Sequence, residues 1–237
     1  MTTQSDIFSA REDWAAILSG EALVCGLLSR ALYSYPERAW LQSLVDEGVF
    51  AESPLGDRQP DVSGGLTLLQ TWSQAHRGGL SDEAFDGLCA GYTRLFIGPG
   101  KVLAPPWESV YFNEERLTFQ EQTLQVRAWY RRFGLEAEKL HNEPDDHIGL
   151  ELSFLAHLAQ LALDALERQD QPAVDELLEA QRRFLSEHLL RWAPAWCDQV
   201  AQHARTDFFH GIALLTKGAL KELSTILQVE SLAESAR

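Results

Sequence analysis

The sequence predicts an all-α fold, a single bundle-like unit of about nine helices over residues 1–237. Three observations support this prediction. Apolar residues recur at helical spacing throughout the chain, whereas the strict alternation typical of strands is nearly absent. Clusters of Gly, Pro, Ser and Asp separate the periodic segments, as turn formers do. No internal repeat with the period of a helical solenoid is present.

The first part of the chain contains four predicted helices. In order, they run from Trp14 to about Tyr33, from Trp40 to Val45, from Leu66 to the Gly78-Gly79 pair, and from Asp82 to Phe96. Residues 51–65 are rich in turn formers and give the clearest predicted loop. Ser81 is the expected N-cap of the fourth helix, because a serine hydroxyl can accept a hydrogen bond from a free backbone N–H of the first turn.

The second part contains the remaining predicted helices. In order, they run from about Glu114 to Phe133, from Pro144 to Leu166, and over residues 172–190, 194–205 and 207–228. Gly134 is the expected C-terminal stop of the first of them. Pro105 and Pro106 exclude a continuous helix just before it, since each proline favours an extended predecessor. The helix after Pro144 has a broad apolar face, which predicts a central position in the fold.

The charge of the chain limits its partners. Lys and Arg number 20 against 35 Asp and Glu, so the net charge is −15. Such a surface repels nucleic acid and anionic lipid and attracts basic partners. No apolar run approaches the length needed to cross a bilayer, and the N-terminus lacks the pattern of a signal peptide. The three cysteines are far apart and predict no disulfide. We therefore expect a cytoplasmic protein without stable membrane insertion.

The densest polar segment is Glu143-Pro144-Asp145-Asp146-His147, directly before the predicted central helix. Proline is favoured at the first helical position, and acids in the first turn complement the helix dipole. One interpretation is therefore local: the acids stabilise the helix start and the histidine bonds nearby backbone. The other is that the cluster recognises a partner. Trp107, on a proline-fixed non-helical segment, fits an anchor for a bound peptide as well as a plug in the core.

Catalytic chemistry has weaker support in the sequence. His147 and Glu151 are four residues apart on one helix face, but a third metal ligand at comparable spacing is missing. The Gly98-Pro99-Gly100 turn lacks the rest of a phosphate-binding loop. We expect no catalytic residue, no metal and no cofactor. The alternative that remains open is a nucleotide- or metal-dependent hydrolase that uses Asp146, His147 and Glu151.

Three motifs together resemble the TorD/DmsD family of redox-enzyme maturation chaperones. They are, in order, Tyr92-x-x-Leu95-Phe96-x-Gly98-Pro99, then Pro105-Pro106-Trp107-Glu108-Ser109-Val110-Tyr111, then Glu143-Pro144-Asp145-Asp146-His147 with Glu151-Leu152-x-Phe154. Their order and spacing fit the family, as do the chain length and the helical pattern. The first 50 residues and the last helices resemble it only in helical character.

The resemblance implies a cytoplasmic chaperone for molybdoenzymes of anaerobic respiration, of the dimethyl sulfoxide and trimethylamine N-oxide reductase type. Such a protein binds the twin-arginine signal peptide of the apo-reductase and delays its export through the Tat pathway until the molybdopterin cofactor is inserted. The binding residues that carry over are Pro106, Trp107, Glu143, Pro144, Asp146 and His147. The family hinge falls near residue 142, which implies possible subdomains 1–141 and 142–237, and either a monomer or a domain-swapped dimer.

The residues fit that chemistry. A twin-arginine signal has a cationic head followed by an apolar stretch. Asp145 and Asp146 are expected to meet the two guanidinium groups, while Pro106 and Trp107 form an apolar wall. Burial of the apolar stretch would then supply most of the affinity.

Overall fold

The computed structural model describes residues 4–98, 102–135 and 144–229, with side chains described from residue 13 onward. Regular secondary structure in these ranges is helical, which confirms the predicted fold class. The α-helices are α1 (Gln4–Tyr33), α2 (Arg38–Asp46), α3 (Pro60–Ala75), α4 (Asp82–Tyr92), α5 (Glu121–Arg132), α6 (Ile148–Glu167), α7 (Gln171–Phe184), α8 (Leu190–His203) and α9 (Asp207–Ile226). A 3₁₀ helix spans Glu108–Tyr111, and π-helical turns span Thr93–Ile97 and Leu185–Leu189.

Helix α6 is the central helix, as its broad apolar face predicts. It packs against α1 on one side and α7 on another, while α9 packs against α3 and α8. The α6 residues that are fully buried include Ile148, Leu152, Leu155, Leu158, Ala159 and Ala162. Elements from both ends of the chain therefore share one hydrophobic core. The expected hinge near residue 142 lies outside the described residues, and the division into subdomains stays a prediction.

Glycines set the closest helix crossings. A Cβ atom on Gly149 would lie 2.6 Å from the Tyr33 Cβ, at the crossing of α6 and α1. A Cβ atom on Gly65 would lie 2.7 Å from the Leu215 backbone nitrogen, at the crossing of α3 and α9. Helix backbones approach this closely only where a side chain is missing.

The second crossing explains an error in the predicted loop. Residues 51–65 were expected to be non-helical, but α3 begins at Pro60, so the Gly64-Gly65 pair lies inside a helix. Pro60 suits a first helical position because its missing N–H costs nothing there. The glycines that looked like turn formers serve helix packing instead. The actual connection between α2 and α3 is residues 47–59.

The helix expected from Glu114 also begins later, at Glu121. The reason is Asn113, whose side-chain amide donates to the Ser109 and Leu117 carbonyls at 2.6 and 2.9 Å. Its side-chain oxygen accepts from the Leu117 N–H at 2.7 Å. Asparagine bonds of this kind compete with helix formation. The helix ends as predicted, with Gly134 in the left-handed region at φ 76°.

Two other helix ends were predicted with different success. The N-cap of α4 is confirmed, since the Ser81 hydroxyl accepts from the Ala84 N–H at 3.2 Å. The predicted break between residues 190 and 194 is wrong, because α7 and α8 are joined by a π-helical turn and the helix continues past Pro194. If α7 and α8 are counted as one continuous helix, the described part of the chain contains eight helices rather than nine.

Two helical segments, residues 13–33 and 148–167, are long and apolar enough to cross a membrane by length and composition. The sequence prediction concerned uninterrupted apolar runs, whereas these helical windows include scattered polar residues. Both segments pack against other helices of this fold, α1 against α6 in particular. A core helix of a globular protein passes the same test, so the finding is weak support for a membrane role.

Candidate functional site

The second and third sequence motifs meet in one place. Trp107 and His147 form an isolated antiparallel bridge, so that the segments around them run side by side. The Glu108 N–H donates to the Asp146 carbonyl at 2.9 Å, and the Ile148 N–H donates to the Pro106 carbonyl at 2.8 Å. We call residues 105–111 and 144–148 the junction. It lies at the N-terminal end of the central helix.

Asp146 ties the junction together from inside. Its side chain is fully buried and accepts from the Ser109 N–H at 2.7 Å and from the Thr123 hydroxyl at 2.6 Å. Its backbone carbonyl accepts from the Glu108 N–H. One residue therefore joins three segments: the 3₁₀ helix, α5 and the approach to α6. A buried carboxylate with several donors is well stabilised.

Asp145 is also fully buried, and it forms an ion pair with Arg127 of α5. Its backbone carbonyl accepts from the Tyr130 hydroxyl at 3.1 Å. The two acids expected to face a ligand's guanidinium groups are thus bonded within the chain in this conformation. The Asp145 carboxylate already pairs with a guanidinium group, that of Arg127 in the same chain. Contact between Asp145 and a ligand arginine requires Arg127 to move aside.

His147 is the N-cap of α6, and its buried Nδ1 accepts from the Gly149 N–H at 3.0 Å. Its ring packs edge-on against the rings of Tyr33 and Trp107, at centroid distances of 5.1 and 5.9 Å. Burial lowers the pKa of His147 to about 3, so the ring is neutral at physiological pH. In this conformation His147 therefore acts as the local interpretation of the sequence predicted: it hydrogen-bonds the nearby backbone.

The helix start differs from the prediction at the same point. Residues 144–147 precede α6, so Pro144 does not occupy the first helical position, and the two acids do not lie in the first turn. The physical reason is the backbone pairing with residues 106–108, which holds this segment outside the helix. Of the predicted contact residues, Pro106 and Pro144 are buried, whereas Trp107 is half-buried. Glu143 lies outside the described residues.

Sequence reasoning missed a buried polar network beneath the junction. Glu108 pairs with His188 at 2.9 Å, and the Trp192 indole N–H donates to Glu151 at 3.3 Å. Burial, followed by the charges of Glu108 and Asp146, raises the pKa of Glu151 well above its ordinary value. His188 and Trp192 lie more than 30 residues from the second and third motifs, and no local spacing in the sequence indicates them.

Several atoms of this region have no hydrogen-bond partner among the described residues. They are Trp107 Nε1, Glu108 Oε1, Ser109 Oγ, Asp145 Oδ1 and Glu151 Oε1. Buried polar atoms without partners are costly, and most folded proteins contain few of them. Four of these five atoms belong to the junction and the fifth to Glu151 beneath it, so polar atoms able to accept a new partner are concentrated there.

The residues of the hydrolase alternative do not act on one another here. Asp146 bonds Ser109 and Thr123, the His147 Nδ1 bonds backbone, and Glu151 bonds Trp192. In the described ranges, no group of three or more His, Cys, Asp or Glu side chains is arranged to hold a metal ion. The fold and this site define a helical protein in which the motif residues form a buried structural junction with an aromatic side chain at its edge.

Comparison with known proteins places the chain in a family. The family model described as nitrate reductase delta subunit matches residues 59–198, which include both junction segments. The chain belongs to this family, the TorD/DmsD family that the motifs indicate.

Individual relatives carry chaperone names. A probable Tat proofreading chaperone DmsD of Haemophilus influenzae is 32% identical over 138 residues, 58% of this chain and 61% of that protein. The Tat proofreading chaperone DmsD of Salmonella typhi is 32% identical over 137 residues, 58% of this chain and 60% of that protein. The chaperone protein TorD of Actinobacillus pleuropneumoniae is 32% identical over 136 residues, 57% of this chain and 61% of that protein. The matched region thus spans about three fifths of these relatives.

One solved structure is also similar. It is the crystal structure of a proposed redox enzyme maturation protein from Archaeoglobus fulgidus, which is 21% identical and has a TM-score of 0.47. The overlap covers 83% of this chain and 91% of that one.

Proposed function

We propose that this chain is a cytoplasmic chaperone that binds the twin-arginine signal peptide of an apo-molybdoenzyme. Its client would be a reductase of the dimethyl sulfoxide or trimethylamine N-oxide type, retained until its molybdopterin cofactor is inserted. The observation that carries this proposal is the family match over residues 59–198, which contains every described motif residue of the junction. The names of the relatives, Tat proofreading chaperone and TorD chaperone, supply the client class.

We assign the apolar contact with the peptide to the edge of the junction. Trp107 is half-buried there, and its indole N–H has no partner among the described residues. A partly exposed aromatic side chain suits peptide binding because it offers apolar contact area. The indole nitrogen itself is buried, so the proposed contact is through the ring. The pairing of residues 106–108 with residues 146–148 fixes its backbone, and the His147 ring packs edge-on against its indole.

We assign a double role to the acids. In the closed junction Asp145 pairs with Arg127, and a peptide arginine would take the place of Arg127. The second carboxylate oxygen of Asp145 has no partner among the described residues and remains available as an acceptor. Asp146 keeps the two segments together while this exchange takes place. Glu143 is included in the proposed site on its motif position alone.

The proposal is one of binding without turnover. A net charge of −15 attracts the cationic head of the peptide, and bidentate contacts would orient it. The hydrolase alternative is tested separately, by metal analysis of the purified protein together with a nucleotide hydrolysis assay. Nucleotide hydrolysis by the wild type that is lost in Glu151→Gln would favour the enzyme. If the wild type does not hydrolyse nucleotide, the chaperone is favoured.

The direct test is tryptophan fluorescence. Adding a twin-arginine peptide should shift the emission of the wild type, and the shift should disappear in Trp107→Phe. Trp14→Phe is the matched control, because Trp14 lies 19 residues before Tyr33 on α1, or about 28 Å along the helix axis. If Trp107→Phe keeps the full shift, the peptide does not bind at Trp107.

A further inference from the structure

An open apolar groove lies on the N-terminal part of the molecule, away from the junction. Its volume is about 430 Å³. It is lined by Leu23, Val24, Leu27, Leu44, residues 48–54, Leu66 and Leu215. Leu23 is 65% exposed, a large value for a leucine that borders other apolar side chains. All lining residues except Leu66 fall outside the matched range 59–198, so the groove is a feature of this chain beyond the family match.

A second pocket of about 380 Å³ adjoins the groove. The two share Ala51, Glu52, Ser53 and Leu66, and the second pocket also contains Asp57. No Lys or Arg is among the described residues that line either of them. Arg58, the nearest cation in the sequence, pairs with Glu222 at 2.7 Å. The combined surface is therefore an apolar groove with carboxylates at one end.

The wall of this surface is held in place. The Gln70 side-chain amide donates to the Phe50 and Ala51 carbonyls at 2.9 and 3.1 Å. On the other side, Pro54 packs against Gly20 of α1, where a Cβ atom would lie 3.0 Å from the Pro54 carbonyl oxygen. A groove formed before binding loses less entropy when a ligand enters. The loop of residues 47–59 thus acts as a fixed rim.

We infer that this groove docks the apolar stretch of the client's signal peptide, with a basic side chain beside that stretch at Glu52 and Asp57. The inference rests on the proposed function and adds a second contact surface. Charge complementarity identifies the partner, because an acidic pocket beside an apolar groove fits a segment that is apolar and flanked by a cation. Contiguous exposed apolar surface is typical of such binding sites.

The groove and the junction can be reached by one peptide. Leu23 lies ten residues before Tyr33 of α1, about 15 Å along the helix axis, and Tyr33 contacts His147 of the junction. About five extended residues span that distance. No residue that lines the groove belongs to the junction, so the two surfaces can be changed by separate variants.

The test measures the affinity of a fluorescein-labelled synthetic peptide that has two arginines, an apolar stretch after them and one lysine after that stretch. Leu23→Gln should weaken binding about tenfold, the loss expected when one leucine is no longer buried. Leu124→Gln is the matched control, since Leu124 is 61% exposed on α5 and does not line the groove. A peptide whose apolar stretch is replaced by Ser and Gly should bind Leu23→Gln and wild type equally.

The acidic pocket has its own variant. Glu52→Gln combined with Asp57→Asn should slow association several-fold at low salt, because charges near a binding surface steer encounter. Glu167→Gln, an exposed acid at the end of α6, should leave the rate unchanged. If the double variant and Glu167→Gln associate at equal rates, Glu52 and Asp57 do not contact or attract the peptide, and that part of the inference is wrong.

The outcomes separate this inference from the proposed function. If Trp107→Phe weakens peptide binding and Leu23→Gln does not, the chaperone function stands and the groove site is wrong. If the wild type does not bind the peptide, both are wrong. If light scattering shows a dimer that Leu23→Gln dissociates, the groove binds a second copy, and the inference is overturned.

Discussion

Asp146 joins three segments of the junction region through hydrogen bonds. Its buried carboxylate accepts from the Ser109 N–H and the Thr123 hydroxyl. We predict that Asp146→Asn lowers the free energy of unfolding by about 1–3 kcal/mol, because a buried donor is left without an acceptor. Urea denaturation measures the change.

The control is Asp86→Asn, which removes an exposed acid of α4 and should change stability by less than about 0.5 kcal/mol. A double-mutant cycle of Asp146→Asn with Thr123→Val should show coupling between the two sites. Independent, additive effects would mean that the Thr123 contact carries no stability.

Glu21 of α1 is a second buried acid, far from the junction motifs. It is fully buried, and Gln181 of α7 can donate to both its oxygens, at 3.2 and 2.9 Å. Burial raises the pKa of Glu21 from 4.5 to about 8. Between these values the folded chain keeps a proton that the unfolded chain has lost. The contribution of Glu21 to stability therefore falls as pH rises through this window, by up to about 1.4 kcal/mol per pH unit.

Glu21→Gln removes this titration. We predict that the stability of the variant relative to wild type increases from pH 5 to pH 8, measured by urea denaturation at both pH values. Glu167→Gln, which changes an exposed acid, should show a difference that does not depend on pH. A constant difference for Glu21→Gln as well would show that Glu21 is ionised in the folded protein throughout.

Site residues that lie in sequence motifs could be predicted, whereas their tertiary partners could not. Pro106, Trp107 and His147 stand in compact motifs, and the structure brings them together. Thr123 and Arg127, which hold the two acids, lie on a separate helix without any motif. Partners of this kind are set by tertiary packing, which local spacing does not encode. The same holds for the burial of Asp145 and Asp146.

At the scale of helices, the crossing of α1 and α6 depends on Gly149. We predict that Gly149→Ala destabilises the protein by about 1–3 kcal/mol, because the added methyl group would overlap Tyr33. Gly26→Ala on α1 is the matched control, since nothing lies within 4 Å of a Cβ atom there. It should stabilise the helix by about 0.5–1 kcal/mol. The same sign for both variants in thermal denaturation would contradict the close crossing.

Helix existence was predictable, whereas helix ends often were not. The apolar period of α6 and the cap at Ser81 are local signals, and the structure follows them. The start of α3 at Pro60 and that of α5 at Glu121 were misplaced. In the first case glycines serve a helix crossing, and in the second the Asn113 side chain closes a loop. Both depend on contacts that composition alone does not distinguish from turns.

At the scale of the whole molecule, net charge and apolar surface are expected to act on different steps of binding. A charge of −15 attracts a basic peptide over the Debye length, which falls from about 30 Å at 0.01 M to about 3 Å at 1 M salt. Apolar burial responds little to such screening. We predict that added salt chiefly slows association and leaves appreciable affinity, as stopped-flow rates at several salt concentrations will show.

The central proposal is that this chain binds a twin-arginine signal peptide and recognises its two arginines. The most direct measurement is the equilibrium affinity for that peptide and for a version with both arginines replaced by lysine, by calorimetry. We predict that the first peptide binds and that the second binds clearly more weakly, because lysine keeps the charge but loses the planar, bidentate fork of arginine. Equal affinity for the two peptides, or binding of neither, would contradict it.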